Sequence, residues 1–416
     1  MPLPRTPFLI PFLVAGTAAA QAPDPAPTPD PAFQQCLSTL RGEAAAKGIG
    51  RAGFDRFMAG VTPDRSVLEL LDAQPEFTTP IWDYLAGLVD EERVADGRAM
   101  LAEHREVLDR VAARYGVDPA TVVAVWGVES NYGRVFGSRP LLQSLSTLAC
   151  EGRRQSFFRG ELFATLGLLQ AGDLRDPGIT GSWAGAFGHT QFMPSTYTRI
   201  AVDFDGDGRR DLVGSVADAL ASTANYLETS GWRSGEPWGF EVRLPDGFST
   251  TGYGRKPKSS LATWAQRGLT RVDGSALAQG ALGADAQAGL VAPAGPDGPA
   301  FLVFRNYDAI YSYNAAESYA LAIALLSDRL RGAPGIATPW PTDDPGISRA
   351  ERRELQHLLL ARGHDIGEVD GMIGTKTRRA IAEEQKRLGF EENGRAGRKI
   401  LEGLRRGGGA GTGDGE

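Results

Sequence analysis

Past its N-terminal stretch the sequence has no apolar run long enough to cross a bilayer, which takes about 20 residues. It also has no basic block. The net charge of −7 is spread along the chain, without the footprint of a nucleic-acid-binding protein. Cysteine is scarce: only Cys36 and Cys150 are present. In an oxidising compartment such an even count favours one disulfide. It would contribute about 4 kcal/mol by closing a long loop, with two buried free thiols as the alternative.

Arg5, the apolar segment Phe8–Val14 and the small residues Ala18-Ala19-Ala20-Gln21-Ala22 read as a secretory signal peptide over residues 1–22, cleaved after Ala20 or Ala22. No cysteine stands at that junction, so no lipid anchor is expected. Residues 23–31 are Pro/Ala/Asp-rich and read as an extended linker. The rest, about 390 residues, suggests two or three units. A composition of 42% hydrophobic residues supplies their cores.

Helical periodicity dominates up to residue 230. A first helix is expected from Phe33, a short one over Asp64–Leu71, and a long one from about Glu91 to Tyr115, closed by Gly116. Asp118-Pro119 then starts another, because Asp caps the first turn and Pro is pre-set for the first helical position. Val122, Val125 and Trp126 mark its apolar face, and Glu129 falls on that face. A carboxylate there is either a stray charge where the helix leaves the core or an acid held in an apolar wall. Desolvation favours the protonated form that a general acid needs.

Further on, Arg153-Arg154 could grip a carboxylate or be solvated surface charge. The stretch 181–197 (GSWAGAFGHTQFMPSTY) joins loop-forming glycines to Trp183, Phe187, Phe192 and Met193, with Gln191 as its amide-reading group. Asp203, Asp205, Asp207, the Arg209 carbonyl and Asp211 occupy the front positions of a calcium-type loop. The twelfth position is Gly214, where a bidentate Glu belongs, so the alternative is an Asp/Gly turn bonding its own amides. Asp218 could substitute in a longer loop, though Ser215-x-x-Asp218 also reads as a capping box.

Residues 232–310 read as a Gly-rich insertion with a few strands. A helix follows from Asn314 to Leu330, with Asn314-x-x-Glu317 as its capping pattern. Residues 331–347 read as a linker, residues 348–405 as a small helical binding unit, and residues 406–416 as a Gly-rich tail.

Taken together, Glu129-Ser130 with the following NYGRVFG, the GAFGHTQFMPSTY and DFDGDGRRDL loops, NYLETSGW at 225–232 and YNAAESYA at 313–320 resemble the lytic murein transglycosylase B family. Residues 350–404 resemble a peptidoglycan-binding domain, through Leu355-Gln356, Asp370-Gly371, Gly374-x-x-Thr377 and Gln385. The resemblance implies a mainly α, lysozyme-like catalytic domain over 32–330 with a small loop-rich β insertion, and a three-helix peptidoglycan-binding domain. It implies Glu129 as the single acid/base. Ser130, Arg153, Arg154, Ser182, Gln191, Phe192, Met193, Tyr226, Tyr313, Asn314 and Tyr319 would line the glycan site.

The chemistry so implied is non-hydrolytic cleavage of the N-acetylmuramic acid–N-acetylglucosamine bond of peptidoglycan in the periplasm. No cofactor is needed for the chemistry, and a structural calcium or sodium ion would sit in the 203–211 loop. Glycan strands are the implied partner, with cell-wall synthesis or division proteins as further ones. A muramidase of the same fold and a non-catalytic glycan-binding scaffold are the rival classes.

Overall fold

The protein is described from a computed structural model covering residues 30–72, 78–280 and 282–407. The signal peptide expected over 1–22 and most of the 23–31 linker and the 406–416 tail lie outside the described residues; Pro31, expected in the linker, already opens a helix, and Arg406 and Gly407, expected in the tail, close one. Among the described residues there are seventeen α-helices and seven short strands. None of the helices is long and apolar enough to cross a membrane.

Helices α1 (Pro31–Ala46), α2 (Arg51–Phe57) and α3 (Ser66–Glu69) open the chain, and a 3-10 turn (Leu70–Asp72) follows. Next come α4 (Ile81–Leu88), α5 (Glu91–Glu103), α6 (Arg105–Tyr115) and α7 (Pro119–Ser130). The single long helix expected over Glu91–Tyr115 is two, broken at His104, whose ring packs edge-on against Trp126 at 5.4 Å. Gly116 closes α6 with φ 65°. Strand β1 (Arg139–Pro140), α8 (Leu141–Cys150), α9 (Gln155–Ala171), β2 (Thr180–Gly181), α10 (Pro194–Ile200) and α11 (Val216–Thr229) complete the first half.

The insertion forms one antiparallel sheet, ordered β4 (Ser259–Ser260), β6 (Gln287–Val291), β7 (Ala300–Val303), β3 (Gly239–Arg243) and β5 (Thr270–Arg271), with α12 (Leu261–Gln266) after β4. Successive residues of a strand face opposite sides, and β7 uses this to join two cores. Ala300 and Leu302 pack with Trp264 in the sheet's own cluster, while Phe301 and Val303 enter the helical core.

Helices α13 (Arg305–Tyr311) and α14 (Glu317–Leu330) return to that helical core, where α14 packs along α7. Around α7 it gathers α4 to α6, α11, α13 and α14. A second core gathers α1, α2 and α8 to α10. Tyr226 and Tyr313 pack against both, and so mark the seam between them. Helix α7 is buried from Ala120 through Gly127 rather than along one face, because it lies inside the first core. Asp118 caps it, accepting from Thr121 N at 3.0 Å.

Residues 331–347 do not hang free as a linker. Ala337 and Thr338 amides each donate to Glu241 at 2.8 Å, and Trp340 lies 6.4 Å from Trp82. The chain ends in three helices, α15 (Arg349–Leu360), α16 (Thr375–Arg387) and α17 (Arg398–Gly407), around a small core of Ile347, Leu355, Leu359, Ile381, Ile400, Leu401 and Leu404.

Cys36 of α1 and Cys150 at the end of α8 are joined in a disulfide across 114 residues. Tethering so long a loop removes chain entropy from the unfolded state, a contribution of about 4 kcal/mol. Replacing both cysteines by serine should therefore lower the urea midpoint of unfolding by a corresponding amount; an unchanged midpoint would show that the bridge contributes nothing.

Candidate active site

Glu129 is the penultimate residue of α7, half-buried where the helix leaves the core. Tyr319 of α14 donates its hydroxyl to Glu129 Oε1. Directly after Ser130 the chain makes an uncommon turn: Asn131 and Tyr132 both have left-handed backbones, at φ 51° and 60°. Such residues are costly unless their surroundings hold them. Here the surroundings do. The Tyr132 ring fills the place of a missing side chain at Gly127, where a Cβ would lie 2.6 Å from it. Its hydroxyl donates to Arg93 O at 2.8 Å, and buried Arg93 in turn donates to Gly127 O. Ser130, fully buried, accepts from Gly133 N at 2.9 Å and donates to His189 O at 2.5 Å.

That last bond ties the Glu129 turn to the 181–197 loop. The two segments approach so closely that a side chain at Gly137 would collide with Gly181 O, and Gly137 itself has φ 92°. His189 stands behind the turn. It accepts the indole N–H of Trp126 at Nδ1 (3.1 Å) and packs edge-on against Phe136 at 4.8 Å. Burial pushes its imidazole down to about 4, so it is neutral at physiological pH.

Several expected ligand contacts do other work. Ser182 accepts from Ala186 N at 3.0 Å, and Gln191, at φ 50°, donates through Nε2 to Phe136 O (3.1 Å) and Gly188 O (2.9 Å). Both side chains fasten the loop, because its tight turns leave backbone groups that need partners. Phe192 is 2% exposed, a core residue, and half-buried Met193 is the N-cap position of α10.

An aromatic cluster fills the seam beside Glu129. Phe192, Tyr226 and Tyr313 have ring centroids 4.7 to 5.9 Å apart, and Tyr313 stacks on Tyr319 at 6.3 Å. Tyr313 donates to Thr190 O at 2.8 Å and Tyr226 to Ser312 O at 2.7 Å. Burial, and then the nearby Glu129 charge, raise the Tyr313 and Tyr319 phenols well above their ordinary value. They are hydrogen-bond donors, not bases. Asn314 is exposed and does not cap α14; Ala316 holds that position, after a left-handed Ala315 (φ 47°).

The remaining candidates lie elsewhere. Exposed Arg153 donates to Leu71 O, and exposed Arg154 stacks over Phe157 at 4.5 Å, both at the corner where α8 meets α9. In the acidic loop the carboxylates that converge are Asp203, Asp205 and Asp218. Asp207 and Asp211 depart from the expected ligand set. Asp207 accepts from Arg209 N at 2.8 Å. Asp211 accepts from the Val213 and Gly214 amides and pairs with the Arg209 side chain at 3.1 Å. Fully buried Asp218 faces the loop and accepts from the Phe204, Asp205 and Asp211 amides. It is therefore only half of a capping box: its own N–H donates to Ser215 Oγ at 3.2 Å, while its carboxylate is spent on the loop.

Sequence reasoning passed over His189, Asn131, Tyr132 and Arg93. Their signal is a contact between distant segments, as with Trp126 and His189, which no local pattern displays. A histidine held at about 4 when folded and at 6.5 when free binds fewer protons in the native state between those pH values. Stability is then complete above about 6.5 and drains away as pH falls toward 4. Melting curves at pH 7 and 5 should show a smaller loss for His189→Gln than for the wild type; equal losses would contradict this.

The "Transglycosylase SLT domain" model matches residues 32–328, and the "Putative peptidoglycan binding domain" model matches residues 348–404. The chain is 33% identical to membrane-bound lytic murein transglycosylase B of Escherichia coli (strain K12) over 299 residues, 67% of this chain and 78% of the relative. It is 48% identical to SltB3 from Pseudomonas aeruginosa, solved in complex with NAG-anhNAM-pentapeptide. That match has a TM-score of 0.72 and covers 90% of this chain and all of the other. The E. coli lytic transglycosylase Slt35, solved in complex with calcium, is 31% identical, with a TM-score of 0.62 over 73% of this chain and 93% of its own. The chain belongs to the SLT transglycosylase family, as a peptidoglycan-cleaving lytic transglycosylase with a C-terminal peptidoglycan-binding module.

Proposed function

We propose that the protein cleaves the β-1,4 bond between N-acetylmuramic acid and N-acetylglucosamine without net hydrolysis, leaving 1,6-anhydro-muramoyl ends. Glu129 is the one acid and base. The observation that carries this reading is the position of Glu129: a half-buried carboxyl at a fixed helix end, oriented by the Tyr319 hydroxyl in a seam between two cores. The SltB3 complex with an anhydro-muramoyl ligand supports the product.

Glu129 first gives its proton to the leaving oxygen, which departs as the hydroxyl of N-acetylglucosamine. The substrate's own acetamido oxygen attacks the anomeric carbon, so no second carboxylate is needed on the other face, unlike in paired-carboxylate glycosidases. Glu129, now a carboxylate, takes the proton of the muramoyl C6 hydroxyl. That oxygen then displaces the acetamido group and closes the anhydro ring. Tyr319 holds the carboxyl through both steps. Gln191, its Nε2 already committed to Phe136 O and Gly188 O, offers its amide oxygen, and exposed Asn314 orients the acetamido group. Arg153 and Arg154 reach substrate only as a distal grip on stem peptides.

The C-terminal module holds sacculi, the work takes place in the periplasm, and cell-wall synthesis or division proteins are the partner class. A calcium or sodium ion would be held by Asp203, Asp205 and Asp218. Their ligand atoms lie within 4.8 Å of one another, and a cation offsets the repulsion so created. Its part is structural.

Glu129→Gln should fold yet release anhydro-muropeptides from purified sacculi about 100- to 10,000-fold more slowly. Wild-type turnover in that variant would overturn the assignment. Products heavier by one water would identify a muramidase instead. Adding calcium to chelator-treated protein should raise its melting temperature, and an unmoved curve in both calcium and sodium would argue against a bound ion.

A further inference from the structure

The C-terminal module touches the catalytic domain at a telling place. Arg349, the first residue of α15, is largely buried and makes a three-point contact. Its Nε and Nη2 donate to the two oxygens of Asp90 at 2.8 and 3.1 Å, and its Nη1 donates to Asn131 Oδ1 at 2.9 Å. Asn131 is the left-handed C-cap of α7, two residues beyond Glu129. Asp90 is the N-cap of α5, accepting from Arg93 N at 2.8 Å. Arg93 is the residue that holds Gly127 O and accepts from Tyr132. Both ends of the brace behind Glu129 therefore converge on one guanidinium from the binding module.

We propose that Arg349 is a positioning residue for Glu129, so that the binding module is part of the catalytic unit as well as an anchor on the wall. The planar fork satisfies two acceptors on one side and a third on the other, which a lysine cannot reproduce. Without it, the Asp90 carboxylate is left buried and the left-handed turn loses its outer support. The other contacts of the module are of a different kind. Arg395 clamps Asp83 of α4 at 2.5 and 2.7 Å and also pairs with Asp344. Arg352 donates to Asp83 O at 3.0 Å, and Arg353 pairs with Glu92 at 2.8 Å. They dock the module without touching the turn that carries Glu129.

This inference rests on Glu129 being the acid/base. Four full-length variants test it: Arg349→Ala, Arg349→Lys, Asn131→Gly and Arg395→Gln. Each is assayed for kcat and KM on a soluble glycan of two disaccharide units, with melting curves and sacculus binding measured in parallel. A small displacement of a catalytic group can cost on the order of 100-fold, so Arg349→Ala should lose about 10- to 100-fold in kcat with KM little changed.

Asn131→Gly keeps the left-handed backbone but removes the acceptor, and should reproduce part of that loss without lowering the melting temperature. Adding Arg349→Ala to it should cost less than the product of the two single effects. Arg349→Lys should fall between, and Arg395→Gln should weaken docking while keeping kcat. Wild-type kcat in Asn131→Gly and Arg349→Lys would overturn the proposal even if Arg349→Ala fails to fold. So would an equal loss of kcat in Arg395→Gln, which would make docking alone responsible. If Glu129→Gln itself kept full activity, the failure would lie in the assignment of the acid and not in Arg349.

Discussion

A carboxyl at the end of a helix, such as the Glu129 proposed here as the acid and base, is only as well placed as the turn that follows it, and here that turn is one the backbone resists. Two successive non-glycine residues, Asn131 and Tyr132, stand in the left-handed region. Each is worth on the order of 1–3 kcal/mol of strain. The turn persists because three separate parts of the chain hold it. The Tyr132 ring is wedged against Gly127, Ser130 is bonded to the 181–197 loop, and Arg349 arrives from the far end of the sequence.

From this constraint the surrounding architecture follows. Helix α7 is buried all round from Ala120 to Gly127, which fixes its axis, and the seam between the two helical cores lies where it ends. The aromatic residues of the seam come from two ends of the chain's middle portion, and burial keeps the Tyr313 and Tyr319 hydroxyls protonated. They can orient a carboxyl and wall a sugar, and they cannot compete with Glu129 for a proton at neutral pH. Neutral His189 stands behind the turn in the same spirit: it supplies a carbonyl, an acceptor nitrogen and bulk, with no charge.

Much of this was legible in the sequence wherever the determining interaction is local. The Asp118-Pro119 start of α7, the Gly116 stop and the breaks around the insertion depend on neighbours a few residues away. Motif resemblance pointed to Glu129, Tyr226, Tyr313 and Tyr319, which the fold brings side by side. What stayed hidden depends on distant partners. The split at His104 answers to Trp126, Ser182 bonds within its own loop while the Gln191 amide nitrogen also reaches Phe136 O, and the segment 331–347 is laid against Glu241 and Trp82. In the acidic loop it is buried Asp218, fourteen residues or fewer from the amides it accepts, that joins Asp203 and Asp205 in the carboxylate cluster.

The central claim is that one carboxyl, fixed by its turn, faces the scissile bond alone. It is tested most directly by a crystal structure of the Glu129→Gln protein holding an uncleaved glycan across the seam. The side chain of residue 129 should then lie within hydrogen-bond reach, about 3 Å, of the glycosidic oxygen, with the muramoyl acetamido oxygen beneath the anomeric carbon. A glycan seated away from residue 129, or an Asp or Glu carboxylate on the opposite face of the sugar, would contradict it.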